Sequence, residues 1–424
     1  MISEHLNKRI HVVLTTILSF CIPFFPQAMS LLIVLLTLNW IINFSNVVFS
    51  FKNIIQNKGL AAMIIFYLLY VLGLLYSSNL KFAGEILEIK LSFLVVPLVY
   101  IAYSKETIIQ FNHYLKCFIY GCVAYALYCF GYATYAYFKP VYTDLYGVLY
   151  NLGSNYFYYS YLSSVIHPSY TAMYTIVALL AIRYLYQQKN IYLNYTWLSI
   201  IVFLTTYVFF LSSKAGWIGL GFTYFIFLFD LIKSGSYFKL IFISLILIGF
   251  FFLINVYFAP QYASRIPKMQ SIENAIKGKD KNNKPSTTGT DGSGSRIFVW
   301  KASLEVIKAN LPLGAGTGDS RDKLMEKYLE KKMDTEYKFG LNSHNQFLNT
   351  SVSLGILGFL SLIICFWIPF HLGLKLHELF LINFVIILTI NLLFESMFER
   401  QSGIIFYVFF NTLLCSKFTQ SKSS

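Results

Sequence analysis

The feature that most constrains this chain is a succession of apolar runs, each close to the length of a bilayer, separated by short polar turns. A span needs roughly 20 apolar residues, and the runs fall at 10–25, 28–44, 59–76, 84–103, 113–138, 166–186, 193–211, 215–232, 238–258, 346–370, 378–394 and 402–416. The longest interruption is the polar stretch 259–343. In hydrocarbon every backbone polar group must find its partner inside the protein, so such runs become helices. The expectation is an all-α polytopic membrane protein of about twelve transmembrane helices. Its parts are helices one to nine over 1–258, a large loop domain with short helices over 259–343, and the last three helices with a tail over 344–424. Composition agrees, with 57% hydrophobic and only 12% charged residues. A water-soluble domain carries about 25% charge. Lys8 and Arg9 precede the first run as in a signal peptide, but the run continues past Pro26 without a small-residue cleavage site, so it reads as a retained helix.

The net charge of +14 could serve nucleic acid, anionic lipid or a phosphorylated substrate. Its distribution decides. With the N-terminus in the cytoplasm, the inner segments hold Lys8, Arg9, Lys52, Lys58, Lys105, Lys116, Arg183, Lys189, Lys233, Lys239, Lys375, Lys417 and Lys422. The short outer loops hold only Lys81, Lys139, Lys214 and Arg400. This positive-inside bias puts both termini in the cytoplasm and the large loop outside, and leaves no nucleic-acid surface. The six cysteines lie in or beside apolar segments, without metal-ligand spacing. Neither a metal site nor a cofactor is expected.

Within the large loop, 278–295 is low-complexity. A helix is expected over 296–309, with Ile297, Trp300, Leu304 and Ile307 on one stripe. A second is expected over 319–333 with Asp319 as its N-cap. A tyrosine-rich outer segment, 139–165, reads as an interfacial aromatic belt or a stacking surface for sugar or lipid. In the fourth span Glu85 and Glu88 share a face, and Lys90 lies deeper. An intramembrane lysine is a functional candidate by default.

Three features of the outer side could carry chemistry. Asn342 or Ser343 could cap the tenth span, placing His344 in its first turn, where the dipole favours neutral imidazole. A neutral histidine there could take a proton from a hydroxyl; the plainer reading is a polar anchor at a helix end. Lys214, in Leu211-Ser212-Ser213-Lys214-Ala215-Gly216-Trp217, opens a helix against the dipole, which an anion would favour. Otherwise it snorkels. Arg296 begins a loop helix and could clamp phosphate oxygens. The glycines of Pro312–Asp319 lack the ending of a phosphate loop and read as a tight turn between two loop helices. Arg265, Arg321 and Arg400 are further outward cations without a local motif. His167 precedes Pro168 at a helix start and either lines the same cavity or caps.

These segments resemble the O-antigen ligase and O-antigen polymerase superfamily of bacterial membrane glycosyltransferases. The layout is similar over nearly the whole chain. The most specific stretch is 342–358, NSHNQFLNTSVSLGILG, joined by SSKAGW, SRIFVW with PLGAGTG, and HPSY. The resemblance implies a fold related to GT-C-type transferases in the bacterial inner membrane. It also implies a metal-independent transfer of glycan from undecaprenyl diphosphate to an acceptor hydroxyl on the periplasmic face. His344 would be the base or acceptor-orienting residue. Arg296 and Lys214 would hold the diphosphate, and His167, Asn345, Lys90 and Arg265 would support. Lys214 departs from the family's usual Arg and loses its bidentate fork. The expected partners are the lipid-linked donor, a lipid A-core or other glycan acceptor, and membrane lipids. A ligase leads. A repeat-unit polymerase and a protein O-glycosylating enzyme share its donor, and a transporter would more often show internal repeats and broken mid-membrane helices.

Overall fold

The computed structural model describes residues 4–138, 156–192, 194–233 and 293–420. The ninth expected span, Arg265, most of 278–295 and Tyr142, Tyr146 and Tyr150 lie outside the described residues. Each other expected span overlaps helical structure, and no strand occurs among the described residues. The first helices are α1 (Glu4–Cys21), α2 (Pro26–Ile42), α3 (Phe44–Asn53) and α4 (Lys58–Leu72). Next come α5 (Leu80–Lys90), α6 (Ser92–Ala102) and α7 (Ser104–Phe138). The short α8 (Tyr159–Leu162) precedes α9 (Pro168–Gln187), α10 (Tyr195–Leu211) and α11 (Lys214–Lys233). The loop region supplies α12 (Ser293–Ala309), α13 (Ser320–Glu330) and α14 (Asp334–Lys338). The chain closes with α15 (Gln346–Leu376), α16 (Leu379–Phe394) and α17 (Gln401–Gln420).

Among the described residues, four helices are long and apolar enough to cross a membrane, five if α2 and α3, bent by 100° at Asn43, form one span. Helices α9 and α17 are buried on nearly every side. Phe406, Tyr407 and Phe410 of α17 are fully enclosed, as expected of a helix that is apolar all round. The peripheral helices turn large apolar side chains outward, among them Leu31, Val34, Leu38 and Ile41 of α2. Water would not tolerate such a surface and lipid does. The expected fourth span is two helices, α5 and α6, separated at Leu91.

The expected tenth span is also not continuous. Gly355 has φ +58° and ψ −142° inside α15, outside the helical region. The loop backbone occupies this break. Ala315 N–H donates to Val352 O at 2.8 Å, Gly316 N–H to Ser353 O at 2.9 Å, and Ile356 N–H to Pro312 O at 2.9 Å. Buried backbone groups freed by a break need such partners. The Pro312–Asp319 segment is therefore a plug in α15 as well as a turn between two helices. Its far end reaches the α4–α5 connection: Thr317 Oγ1 donates to Tyr70 O at 2.7 Å and Gly318 N–H to Ser77 Oγ at 3.0 Å.

Two expectations for the loop need correction. Asp319 stands before α13 but does not cap it. Its carboxylate accepts the Ser78 and Asn79 N–H groups at 2.8 Å each, at the start of α5. The two amides that open another helix are the better donors for its carboxylate. The buried stripe of α12 is Val299, Ala302 and Val306, whereas Leu304 faces out. These side chains pack on Leu324 and Tyr328 of α13 and on Val352 of α15, with Trp300 and Ile307 half-buried beside them, so the expected stripe holds at those two positions and fails at Leu304.

At Gly355 a Cβ would lie 2.0 Å from Pro312 O. Gly355→Ala should expel the plug and destabilise the protein by roughly 2 kcal/mol or more, combining positive φ with the clash. A fall in melting temperature of the detergent-purified variant checks this.

Candidate functional site

Four of the expected site residues, His344, Arg296, Asn345 and Lys90, meet the 393–399 segment, whose Glu395 sequence reasoning passed over. Helix α15 begins at Gln346 with Asn345 as its N-cap, and Asn345 Oδ1 accepts Leu348 N–H at 3.1 Å. His344 is thus outside the helix, not in its first turn. Asn342 Oδ1 accepts the His344 N–H at 3.0 Å, and Ser343 is engaged with Ser303 of α12 at 2.9 Å, which is why neither caps. His344 has φ +44°, a left-handed conformation uncommon for a side-chain-bearing residue. The helix-dipole argument for its imidazole falls away.

The group facing His344 is Glu395, directly after α16. Its Oε1 is 3.1 Å from His344 Nδ1, and its Oε2 is 3.4 Å from a terminal nitrogen of Arg296. Histidine and arginine were placed on the same face by sequence, but they meet only through this carboxylate. Burial alone would raise the Glu395 carboxyl. The His344 hydrogen bond, together with the nearby charges of His344, Arg296 and His167, holds it below the usual carboxylate range. An ionised carboxylate only accepts, so His344 Nδ1 donates to it and Nε2 is the ring nitrogen left for another partner. The His344 and Arg296 side chains are each 26% exposed and Glu395 16%. The cluster is therefore accessible yet poor in water, where charges interact more strongly than in bulk.

Supporting residues fix this arrangement. Asn345 N–H donates to Ser396 Oγ at 3.2 Å, and Asn345 Nδ2 to Leu393 O at 3.1 Å. Gln346 Oε1 accepts Phe398 N–H at 2.7 Å. Lys90 is fully buried at the end of α5, and its Nζ reaches Phe398 O at 2.6 Å and Glu399 at 2.9 Å. His167 does cap α9, its Nδ1 accepting Ser169 N–H at 3.4 Å, with Tyr159 Oη 3.3 Å from Nε2. The capping reading of His167 therefore holds.

Lys214 opens α11, with Ser213 Oγ accepting Gly216 N–H at 3.2 Å. Ser213 Oγ is also 3.5 Å from Ser169 Oγ on α9. The Lys214 turn is thereby pinned beside the His167 turn. Among the described residues no three His, Cys, Asp or Glu side chains group as metal ligands would.

Residues 198–363 match the family model described as O-antigen ligase. That stretch is similar to the O-antigen ligase family. It carries Lys214, Arg296 and His344 and bears out the resemblance drawn from those motifs. A 218-residue stretch is also 29% identical to an uncharacterized protein of Haemophilus influenzae, covering 48% of this chain and 51% of that protein. The chain thus matches about half the length of this relative. The family implies ligase- or polymerase-type glycosyl transfer in a multi-pass membrane protein. Glu395 lies beyond the matched stretch. The signal that could have found it is a pair of acids, Glu395 and Glu399, in the short polar connection between two apolar runs.

Glu395→Gln keeps the shape of the side chain but not its charge, and should slow glycosyl transfer at least about tenfold with little change in donor KM. Because the folded carboxyl is held low, its stabilising contribution is present above the ordinary carboxylate value and is lost as pH falls through the lowered one. The melting-temperature gap between wild type and Glu395→Gln should therefore persist at neutral pH and close below about pH 4.

Proposed function

We propose that the protein is an O-antigen ligase-type glycosyltransferase that moves a glycan from undecaprenyl diphosphate to a hydroxyl of a lipopolysaccharide core. The observation that carries this reading is the His344–Glu395–Arg296 cluster in a chain whose residues 198–363 match the O-antigen ligase family model. On the positive-inside reading this end of the bundle faces the periplasm and both termini face the cytoplasm.

His344 Nε2 takes the proton of the acceptor hydroxyl, while Glu395 holds the ring by Nδ1. The acceptor oxygen bonds to the anomeric carbon of the donor as the carbon–oxygen bond to phosphate breaks. Undecaprenyl diphosphate leaves with the bonding pair. Negative charge grows on the departing oxygen, and Arg296 and Lys214 meet it with fixed cations. Arg296 touches Glu395 through one terminal nitrogen at 3.4 Å, a loose contact with which phosphate oxygens can compete. Lysine at 214 supplies charge without the planar fork of arginine. Proximity does the rest, since two held reactants need no further activation beyond a base and charge stabilisation.

Purified protein supplied with a lipid-linked glycan and core lipid tests the reading. His344→Ala should cost on the order of 10²–10⁴ in rate without loss of membrane insertion, and wild-type transfer by that variant would remove the catalytic assignment. Lys214→Arg should stay active and Lys214→Ala should lose most activity. Equal activity of wild type and Lys214→Ala would leave this lysine a snorkelling residue. Transfer only to a second lipid-linked unit, or only to a protein hydroxyl, would make the enzyme a polymerase or a protein glycosyltransferase instead.

A further inference from the structure

We propose that Lys90 is a positioning residue for the reaction, holding Glu395 in register with His344 by clamping the peptide of Phe398. The inference rests on the reading of His344 as a base oriented by Glu395. It starts from an oddity, an ammonium group with no exposed surface at the end of α5 in an apolar segment. A buried cation costs several kcal/mol unless paired, and one in a membrane segment is retained for a reason.

Neutralising Glu399 is one such reason, and Lys90 Nζ does lie 2.9 Å from its carboxylate. The shorter bond, however, goes to the Phe398 carbonyl at 2.6 Å. The N–H of the same residue is taken by Gln346 Oε1 at 2.7 Å. Phe398 is thus gripped through both of its backbone polar groups, from α5 and from the start of α15. Its ring is buried against Phe93, 5.2 Å away, and Tyr407, 5.1 Å away. Tyr70 covers the ammonium, with its ring centroid 4.7 Å away, which favours the cation at that spot.

The clamp is aimed at the site. Between Phe398 and Glu395 lies Ser396, whose hydroxyl accepts the Asn345 N–H. Two clasps therefore tie 396 and 398 to 345 and 346, immediately after His344. The His344–Glu395 contact of 3.1 Å is the free end of this stitched seam. Lys90 anchors the seam to a third helix. Release of the Phe398 carbonyl lets the 397–399 turn shift and carries Glu395 with it. Lys90 touches neither reactant, so its removal alters turnover rather than donor binding.

The test uses the full-length protein in lipid nanodiscs with a lipid-linked glycan donor. Lys90→Met combined with Glu399→Gln removes both charges, so that no buried charge is stranded. The double variant is expected to show kcat reduced by about 10–100-fold, the scale of a misplacement of about 1 Å, with donor KM within about twofold. Lys90→Arg, which keeps charge and donors, restores most of the turnover. Wild-type kcat in a folded double variant overturns the proposal and leaves Lys90 a charge partner of Glu399. If the double variant does not accumulate in membranes, Gln346→Leu decides, because it loosens the other side of the same peptide. A reduced kcat at constant KM supports the clamp, and an unchanged kcat overturns it. His344→Ala run in parallel separates the two readings. An inactive His344→Ala beside a fully active Lys90 variant removes only the positioning role, whereas an active His344→Ala removes the base assignment beneath it.

Discussion

The constraint on which this structure depends is that backbone amides and carbonyls away from water must be paired within the protein. Continuous helices meet it automatically. Wherever the chain departs from a helix, another part of the chain has to supply the missing partners. At Gly355 the supplier is the Pro312–Gly316 backbone. At Phe398 it is Lys90 and Gln346. At the start of α5 it is Asp319. Each irregularity joins segments distant in sequence, and each lies at or near the end of the bundle that holds the charge cluster.

This explains how a loop region rich in charge can contribute a precisely held side chain. Arg296 sits on α12, whose apolar face packs on Val352 of α15 and whose Ser303 meets Ser343. The chain beyond α12 is plugged into the break of α15. Arg296 is therefore referenced to the same helix whose preceding residue is His344. The positive φ of His344 is tolerated because three contacts over-determine it: Asn342 at its amide, Glu395 at its ring and Asn345 locked in the cap that follows. Strain of this kind persists where neighbours enforce it, and it gathers at functional sites.

Much of the architecture was readable from the chain. Apolar runs of bilayer length have one low-energy form in lipid, so the existence of the helices followed from hydropathy, and their ends from residues such as Pro168 and Ser213. The break in α15 was not readable. Glycine is common in membrane helices, and nothing local separates Gly355 from Gly358, which stays helical. On α12 the stripe of Ile297, Trp300, Leu304 and Ile307 is nearly as apolar as the face of Val299, Ala302 and Val306 that is buried, and of it only Trp300 and Ile307 pack there. Val352, from a different helix, selects between them.

The sequence by itself determined the class of protein, carried the resemblance to the O-antigen ligase family and offered the candidate cations and histidine, because these depend on composition, run length and local motifs. Only the tertiary structure decided what those residues do to one another. It moved His344 out of its helix and turned Asp319 from a cap of its own helix into a latch on α5. It also made Glu395 the meeting point of His344 and Arg296. The physical reason is the same in each case: polar groups in a low-dielectric environment take the partner with the best geometry, and that partner lies far away along the chain.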